Sequence, residues 1–472
     1  MNCGQKQNKI SILCAAVVSI AAAAVLLQVI GGTALQGKEL LPYSLLYLAA
    51  VLLCCMAIIK LPVNEKYLLW AVMAVCAITR FYYIALIDTP PASDFEALYN
   101  AAEKTVGGDM SWLQDRYFAR WAYQIPFVLY EAFVIKLFGG ITALKIINVI
   151  FMLGIDYLIY LMAEKIAGKR AALCAAFLYA VYPDAVHLSS VLTNQHIAAF
   201  FLLLALYFLL RDKRGVSAAL AGAMLGISQL MRPEAVLVLA AADCMAIWLF
   251  LQEPHKDNLK NILLRLALLV LCYLLVTKLT ALILSCVGAA PFGLKNNVPE
   301  WKFVLGLDFG GSGVYSDNNA YILGLGDAAQ RKAETAEIIK SSFAACPEPM
   351  KFFDGKIKIL WVKEIGGSWS MMNIKDTDTL LPFLSAAGFK FHLSALNAAV
   401  YLVIWLAALA ATVMNLFSPG DNRSNFLTVL LLGFFAVFLL VEVQSRYRYA
   451  AIPLAVILSA KAFSLMERKG KT

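Results

Sequence analysis

Apolar runs of about 20 residues recur along nearly the whole chain, at about 10–30, 41–59, 67–87, 122–139, 141–163, 171–187, 191–210, 216–231, 234–251, 261–285, 393–417, 425–442 and 448–465. A helix of that length crosses the ~30 Å hydrocarbon core of a bilayer. Backbone N–H and C=O groups inside lipid have to be satisfied within the segment, so runs this long imply helices. With 61% hydrophobic and 15% charged residues, a soluble globular fold is excluded. The expected fold class is an all-α polytopic membrane protein, multi-pass in a cell membrane. In such a chain the net charge of +9 marks loops facing the cytoplasm, so it gives no reason to expect a nucleic-acid partner.

Lys6 and Lys9 precede the first run, which is too long for a signal-peptide core and is read as an uncleaved span. If all thirteen runs cross, Lys165, Lys169, Arg170 and the C-terminal Arg468, Lys469 and Lys471 fall outside, against the positive-inside rule. The run at 122–139 carries Gln124, Pro126, Glu131 and Lys136 and is the least membrane-like. Treated as re-entrant or interfacial, it leaves about twelve spans, and the basic clusters at Lys60/Lys66, Lys165–Arg170, Arg211–Arg214, Lys256/Lys260 and Arg423 all lie inside. The chain then divides into N-terminal spans (1–87), a first external loop with amphipathic and re-entrant helices (88–140), a central bundle (141–285), a large external loop (286–392) and C-terminal spans (393–472). Most cysteines lie in apolar runs as small hydrophobes, but Cys286 and Cys346 fall in the polar loop, where a disulfide between them could form. No Cys/His spacing suggests zinc or haem.

That topology gathers the polar motifs on the external face. Asp88-Thr89-Pro90-Pro91 stops a helix, and Ser93-Asp94-Phe95-Glu96 restarts one with Ser93 and Glu96 at capping-box spacing. Capping accounts for Glu96; Asp94 can be a dipole-favoured acid or a catalytic one. Phe95, Leu98, Tyr99 and Ala102 follow at helical spacing, giving an amphipathic helix expected at the membrane surface. Tyr117 to Gln124 is aromatic and basic, which suits an interfacial belt or a wall for sugar and phosphate built from Arg120, Tyr123 and Gln124. Capping explains Asp184 and Thr193, whereas Asn194, Gln195 and His196 enter an apolar helix and need polar partners. In Arg232-Pro233-Glu234 a guanidinium sits at a helix junction, either paired to Glu234 or facing a lipid phosphate. Glu442-Val443-Gln444-Ser445-Arg446-Tyr447-Arg448-Tyr449 places two arginines against the charge rule, as phosphate ligands would be. Trp361 and Trp369 in the large loop read as interfacial anchors or sugar platforms.

Taken in order, these motifs resemble the GT-C membrane glycosyltransferases, in the bacterial branch related to dolichyl-phosphate-mannose:protein mannosyltransferases. The pieces are Pro91-Ala92-Ser93-Asp94-Phe95, Arg120-Trp121-Ala122-Tyr123-Gln124, Arg232-Pro233-Glu234, Glu442 to Tyr447 and the glycine-rich Gly306–Gly313. The resemblance implies a GT-C-like bundle of about 12 transmembrane helices that moves a sugar from a polyprenyl-phosphate donor to a glycan, lipid or protein acceptor on the external face. Asp94 would be the base, with Glu96 as the neighbouring carboxylate. Arg446, Arg448 and Arg232 would bind the donor phosphate, and Arg120, Tyr123, Gln124, Asn194, Glu442 and Gln444 the substrates. No cofactor or metal is implied, although relatives with an adjacent Asp-Glu pair leave a divalent ion open. The competing classes are a lipid-linked glycan flippase or transporter, which would favour mid-span acids such as Asp156 and Asp243, and a surface-polysaccharide polymerase or ligase.

Overall fold

The structure is a computed structural model that describes residues 9–34, 39–212, 214–363, 369–375, 385–417 and 421–468. Lys6, Lys469 and Lys471 of the charge argument lie outside the described residues. The chain enters through three long helices, α1 (Lys9–Ala34), α2 (Leu41–Lys60) and α3 (Glu65–Leu86), the last capped by the Asn64 side chain accepting from Lys66 N–H at 2.9 Å. Three shorter ones follow, α4 (Asp94–Val106), α5 (Arg116–Arg120) and α6 (Ile125–Phe138). The central bundle holds α7 (Ile141–Ala167), α8 (Lys169–Ala180), α9 (Pro183–Leu188), α10 (Gln195–Arg211), α11 (Gly215–Met231), α12 (Ala235–Gln252) and α13 (Lys256–Cys286). The large loop folds into α14 (Glu300–Gly306), α15 (Ala328–Ala345) and α16 (Pro349–Ile357). Two long helices and a shorter one close the chain, α17 (Ala386–Phe417), α18 (Asn422–Leu440) and α19 (Ile452–Arg468).

Among the described residues eight helices are long and apolar enough to cross a membrane. The other four members of the expected dozen, α8, α10, α11 and α19, are shorter, because turns take up residues at their ends. Tyr182-Pro183 breaks the run at 171–187 into α8 and α9, as a proline must.

The basic loops collect at one end of the bundle. Arg170 donates to the carbonyls of Ile58, Leu61 and Val63 and pairs with Glu65 at 3.1 Å. Arg423 donates to the carbonyls of Leu210 and Lys165, tying three loops together. Polar loops collect at the other end, where Asp88 pairs with Lys145 and Thr89 bonds Ser190. The helix α6 starts beside Asn194, and Gly140, just past its end, lies against Tyr99 of α4. The apolar face of α4 (Phe95, Leu98, Ala101 and Ala102) is buried against α6 and Trp112, so it packs on protein where a surface-lying helix would have met lipid.

Glycines set the closest helix contact. Gly222 and Gly226 of α11 lie one turn apart and let α13 approach until a Cβ on Gly222 would sit 2.2 Å from the Leu269 carbonyl oxygen. Replacing Gly222 with Leu is expected to cost about 1–3 kcal/mol by overpacking. Thermal melting of the purified variant in detergent measures this, and an unchanged midpoint would contradict so close an approach. The disulfide that Cys286 and Cys346 could have formed is absent: both are free thiols.

Candidate functional site

At the polar end, the segment 440–449 forms the floor of a cluster to which four other loops contribute. The Glu442 carboxylate takes a hydrogen bond from Gln444 at 2.8 Å, and Gln444 in turn accepts from Arg446 Nε at 2.7 Å. Lys302 of α14 forms a short ion pair with Glu442. Gln195 Nε2 donates to the Arg446 carbonyl at 2.5 Å, so α10 fixes the backbone that carries the arginine. The guanidinium of Arg446 packs over the adjoining rings of Phe95 (4.7 Å) and Trp369 (4.8 Å), with Tyr447 at 5.6 Å. Its two terminal nitrogens make no hydrogen bond among the described residues, although the residue is only 6% exposed.

Asp94 opens α4 on the same cluster. Ser93 before it adopts φ 55°, a strained conformation for a residue with a Cβ, and makes no capping bond. The expected capping box is therefore absent, because an N-cap serine needs extended backbone angles to reach the helix N–H groups. The carboxylate of Asp94 is solvent-exposed and within electrostatic reach of Arg446, Tyr117, Tyr123 and Tyr315. Glu96, two residues on and about 200° around the helix, is exposed on another side.

Arg232 joins from the α11–α12 junction. It pairs with Glu234 at 2.8 Å, donates to Asn194 Oδ1 at 3.0 Å and lies 5.6 Å from the Tyr447 ring. Asn194 bonds Gln124 at 3.2 Å and the Met231 carbonyl at 2.9 Å, which links the first loop to this junction. Electrostatics follow the packing. Burial lowers the pKa of Arg446, with Arg232 adding to the effect against Tyr447 and Asp94. For Lys302, burial is outweighed by Tyr447 and Glu442, which hold its pKa above the usual lysine value. The phenols of Tyr117 and Tyr123 are pushed up, mainly by burial and further by Asp94, so both stay neutral hydrogen-bonding groups.

The structure thus brings together Asp94, Arg446, Arg232, Tyr123, Gln124, Asn194, Glu442 and Gln444. It does not bring Arg448 with them. That residue is fully buried, pairs with Asp184 at 2.9 Å and donates to the carbonyls of Leu360 and Lys363. Its role is corrected from phosphate ligand to internal tie. Arg120 stays at the rim and contributes a backbone contact, its carbonyl accepting from Asn297 N–H at 2.8 Å. Trp361 stacks on Phe435 at 3.8 Å in the core, whereas Trp369 covers Arg446. Sequence reasoning missed Lys302 and Tyr315. Lys302 carried the same signal as Arg446, a cation on the face the charge rule keeps free of them.

The fold and cluster together define a multi-pass membrane protein with a polar site at one end of its bundle. Residues 126–280, about a third of the chain, match a protein family described as dolichyl-phosphate-mannose-protein mannosyltransferase. The resemblance drawn from the motifs is thereby borne out over that segment, which carries Asn194 and Arg232. Among solved structures, the apo oligosaccharyltransferase of Archaeoglobus fulgidus is 17% identical, with a TM-score of 0.48 over 86% of this chain and 51% of its own. The same organism's oligosaccharyltransferase AglB, in complex with an inhibitory peptide and a dolichol-phosphate, is 18% identical with a TM-score of 0.44, over 84% and 50%. Its complex with Zn and sulfate is 14% identical with a TM-score of 0.47, over 85% and 49%. The chain spans about half the length of these structures. No curated protein matches the sequence.

Proposed function

We propose that the protein is a membrane glycosyltransferase that moves a sugar from a polyprenyl-phosphate donor to a hydroxyl of a glycan, lipid or protein acceptor. The observation that carries this reading is the convergence of the Asp94 carboxylate on Arg446, a guanidinium whose two outer nitrogens have no hydrogen-bond partner among the described residues. Sugar transfer from such a donor breaks the bond between the anomeric carbon and a phosphate oxygen while the acceptor oxygen forms its own. Asp94 takes the hydroxyl proton, and the departing phosphate takes the electron pair. Arg446 binds that phosphate through its free fork, and Arg232 adds positive charge across Tyr447. Glu442 and Gln444 hold the arginine in place. A single base and direct displacement invert the anomeric centre.

The external face is supported by charge. The loops carrying Arg170, Arg423 and their basic neighbours lie at the opposite end, where the positive-inside rule expects the cytoplasm.

The test is transfer by the reconstituted protein from defined polyprenyl-phosphate sugars, with NMR assignment of the product anomer. Inverted product is expected; retained configuration would refute direct displacement, and no turnover with any such donor would refute the donor class. Arg446→Gln is expected to lower turnover by about 10²-fold, the scale of one lost electrostatic contact to a developing anion. Arg446→Lys should not restore it, since an ammonium lacks the planar fork. Rates at saturating donor check both.

A further inference from the structure

At the basic end of the bundle, away from the Asp94 cluster, α10, α11, α12, α13 and α18 enclose a cavity of about 330 Å³. That volume lies within the ~300–1,000 Å³ of ordinary ligand pockets. Its interior is apolar, lined by Leu209, Met245 and Leu266 among others, and its polar rim holds Arg265, Arg423, Asp212 and Asp421.

Asp421 pairs with Lys461 at 3.0 Å, while Asp212 accepts from Ser217 Oγ at 2.7 Å and Arg214 N–H at 2.9 Å and lies within electrostatic reach of Arg265. Three cations (Arg265, Arg423 and Lys461) thus face two carboxylates, which leaves the rim one positive charge in excess. Among the described residues Arg265 makes a single weak bond, to the Asp212 carbonyl at 3.3 Å, and its buried Nε has no partner there. A buried donor left unsatisfied costs free energy that an incoming acceptor would recover. Arg423 uses two nitrogens on carbonyls and keeps its third free among the described residues. On the outside, α13 presents Leu263, Leu264, Leu271 and Leu275, each more than half exposed, so the helix that walls the cavity faces lipid.

We propose that this cavity binds an anionic phospholipid, with the headgroup phosphate on Arg265 and Arg423 and an acyl chain along Leu209, Met245 and Leu266. Basic pockets between membrane helices recognise anionic headgroups in this way. The apolar interior selects a lipid over a free anion, and the paired guanidiniums select an anionic headgroup over a zwitterionic one.

The full chain, purified from nanodiscs of phosphatidylcholine containing phosphatidylglycerol, would be examined by native mass spectrometry for retained lipid. Phosphatidylglycerol is expected to survive extraction in preference to phosphatidylcholine. Arg265→Gln should weaken its retention about ten-fold, as loss of one charge-assisted bond implies. Ala242→Phe, which fills the cavity without touching the rim charges, should also abolish it, and thermal melting in phosphatidylcholine alone verifies that each variant is folded. Equal retention of the two lipids, unchanged retention in both folded variants, or displacement by millimolar inorganic phosphate would each overturn the proposal.

Discussion

Asp94→Asn is expected to reduce sugar transfer by about 10²–10⁴-fold, the range that a positioned general base contributes. The amide is nearly isosteric with the carboxylate, but it cannot take up the acceptor's proton. The apolar face of α4 is untouched by the change, because Phe95, Leu98, Ala101 and Ala102 carry the packing. Donor binding should therefore persist while turnover falls, and rates measured at saturating donor separate the two. Glu96→Gln provides the contrast. Glu96 is exposed and, unlike Asp94, is not among the charges acting on Arg446, so its variant should stay within a few-fold of wild type, as surface substitutions are nearly neutral. If the two variants lose activity equally, or if Asp94→Asn keeps it, the base lies elsewhere.

Arg448→Gln should act on the fold instead. Its guanidinium is fully buried, bonded to Asp184 and to two carbonyls, and lies 5.0 Å from the Tyr401 ring. Removing it takes the buried guanidinium away from the Asp184 carboxylate, which Tyr182 also hydrogen-bonds. Breaking a buried pair from one side costs about 3–5 kcal/mol. Lower yield and a depressed melting midpoint are expected, and adding Asp184→Asn should recover part of the loss because no uncompensated charge then remains. A fully stable Arg448→Gln with reduced donor affinity would return this residue to the phosphate site. Two arginines only two positions apart thus predict opposite phenotypes, one in chemistry and one in assembly.

That divergence marks where the sequence stopped being informative. The charge rule singled out Arg446 and Arg448 together, since both break it. What separates them is a 3₁₀ turn over Ser445–Ala450, which points residues two apart about 240° away from each other. Nothing in the local composition announces that turn. The helices were readable because apolar runs of bilayer length admit few alternatives, and the run at 122–139 stood apart from the others because Gln124, Glu131 and Lys136 sit poorly in lipid. Asn194 and Arg232 were flagged for the same reason, as polar groups that must find partners. The identity of those partners was not readable, since Lys302 meets Glu442 across 140 positions of chain. Asp156 was noticed as a mid-span acid, but Arg80, within its electrostatic reach and bonded to the carbonyls of Tyr179 and Ala180, was passed over inside an apolar run. The capping box failed for a backbone reason, the positive φ of Ser93, to which spacing is blind.

The large loop is stitched to the arginine segment by more than Lys302. The ammonium of Lys356 is buried and donates to the carbonyls of Gly306, Leu439 and Val441. Gly306 permits this by lying directly on the backbone of residues 440–441, where a Cβ would collide with Val441. Asn297 ties the other flank of the loop to Ala119 and Arg120. A roof fastened to both walls of a chamber has to break these bonds before it can swing aside. On the proposed function, an acceptor that leaves them intact threads in from the side, and remodelling the roof to change that guest would disturb the segment that carries Arg446.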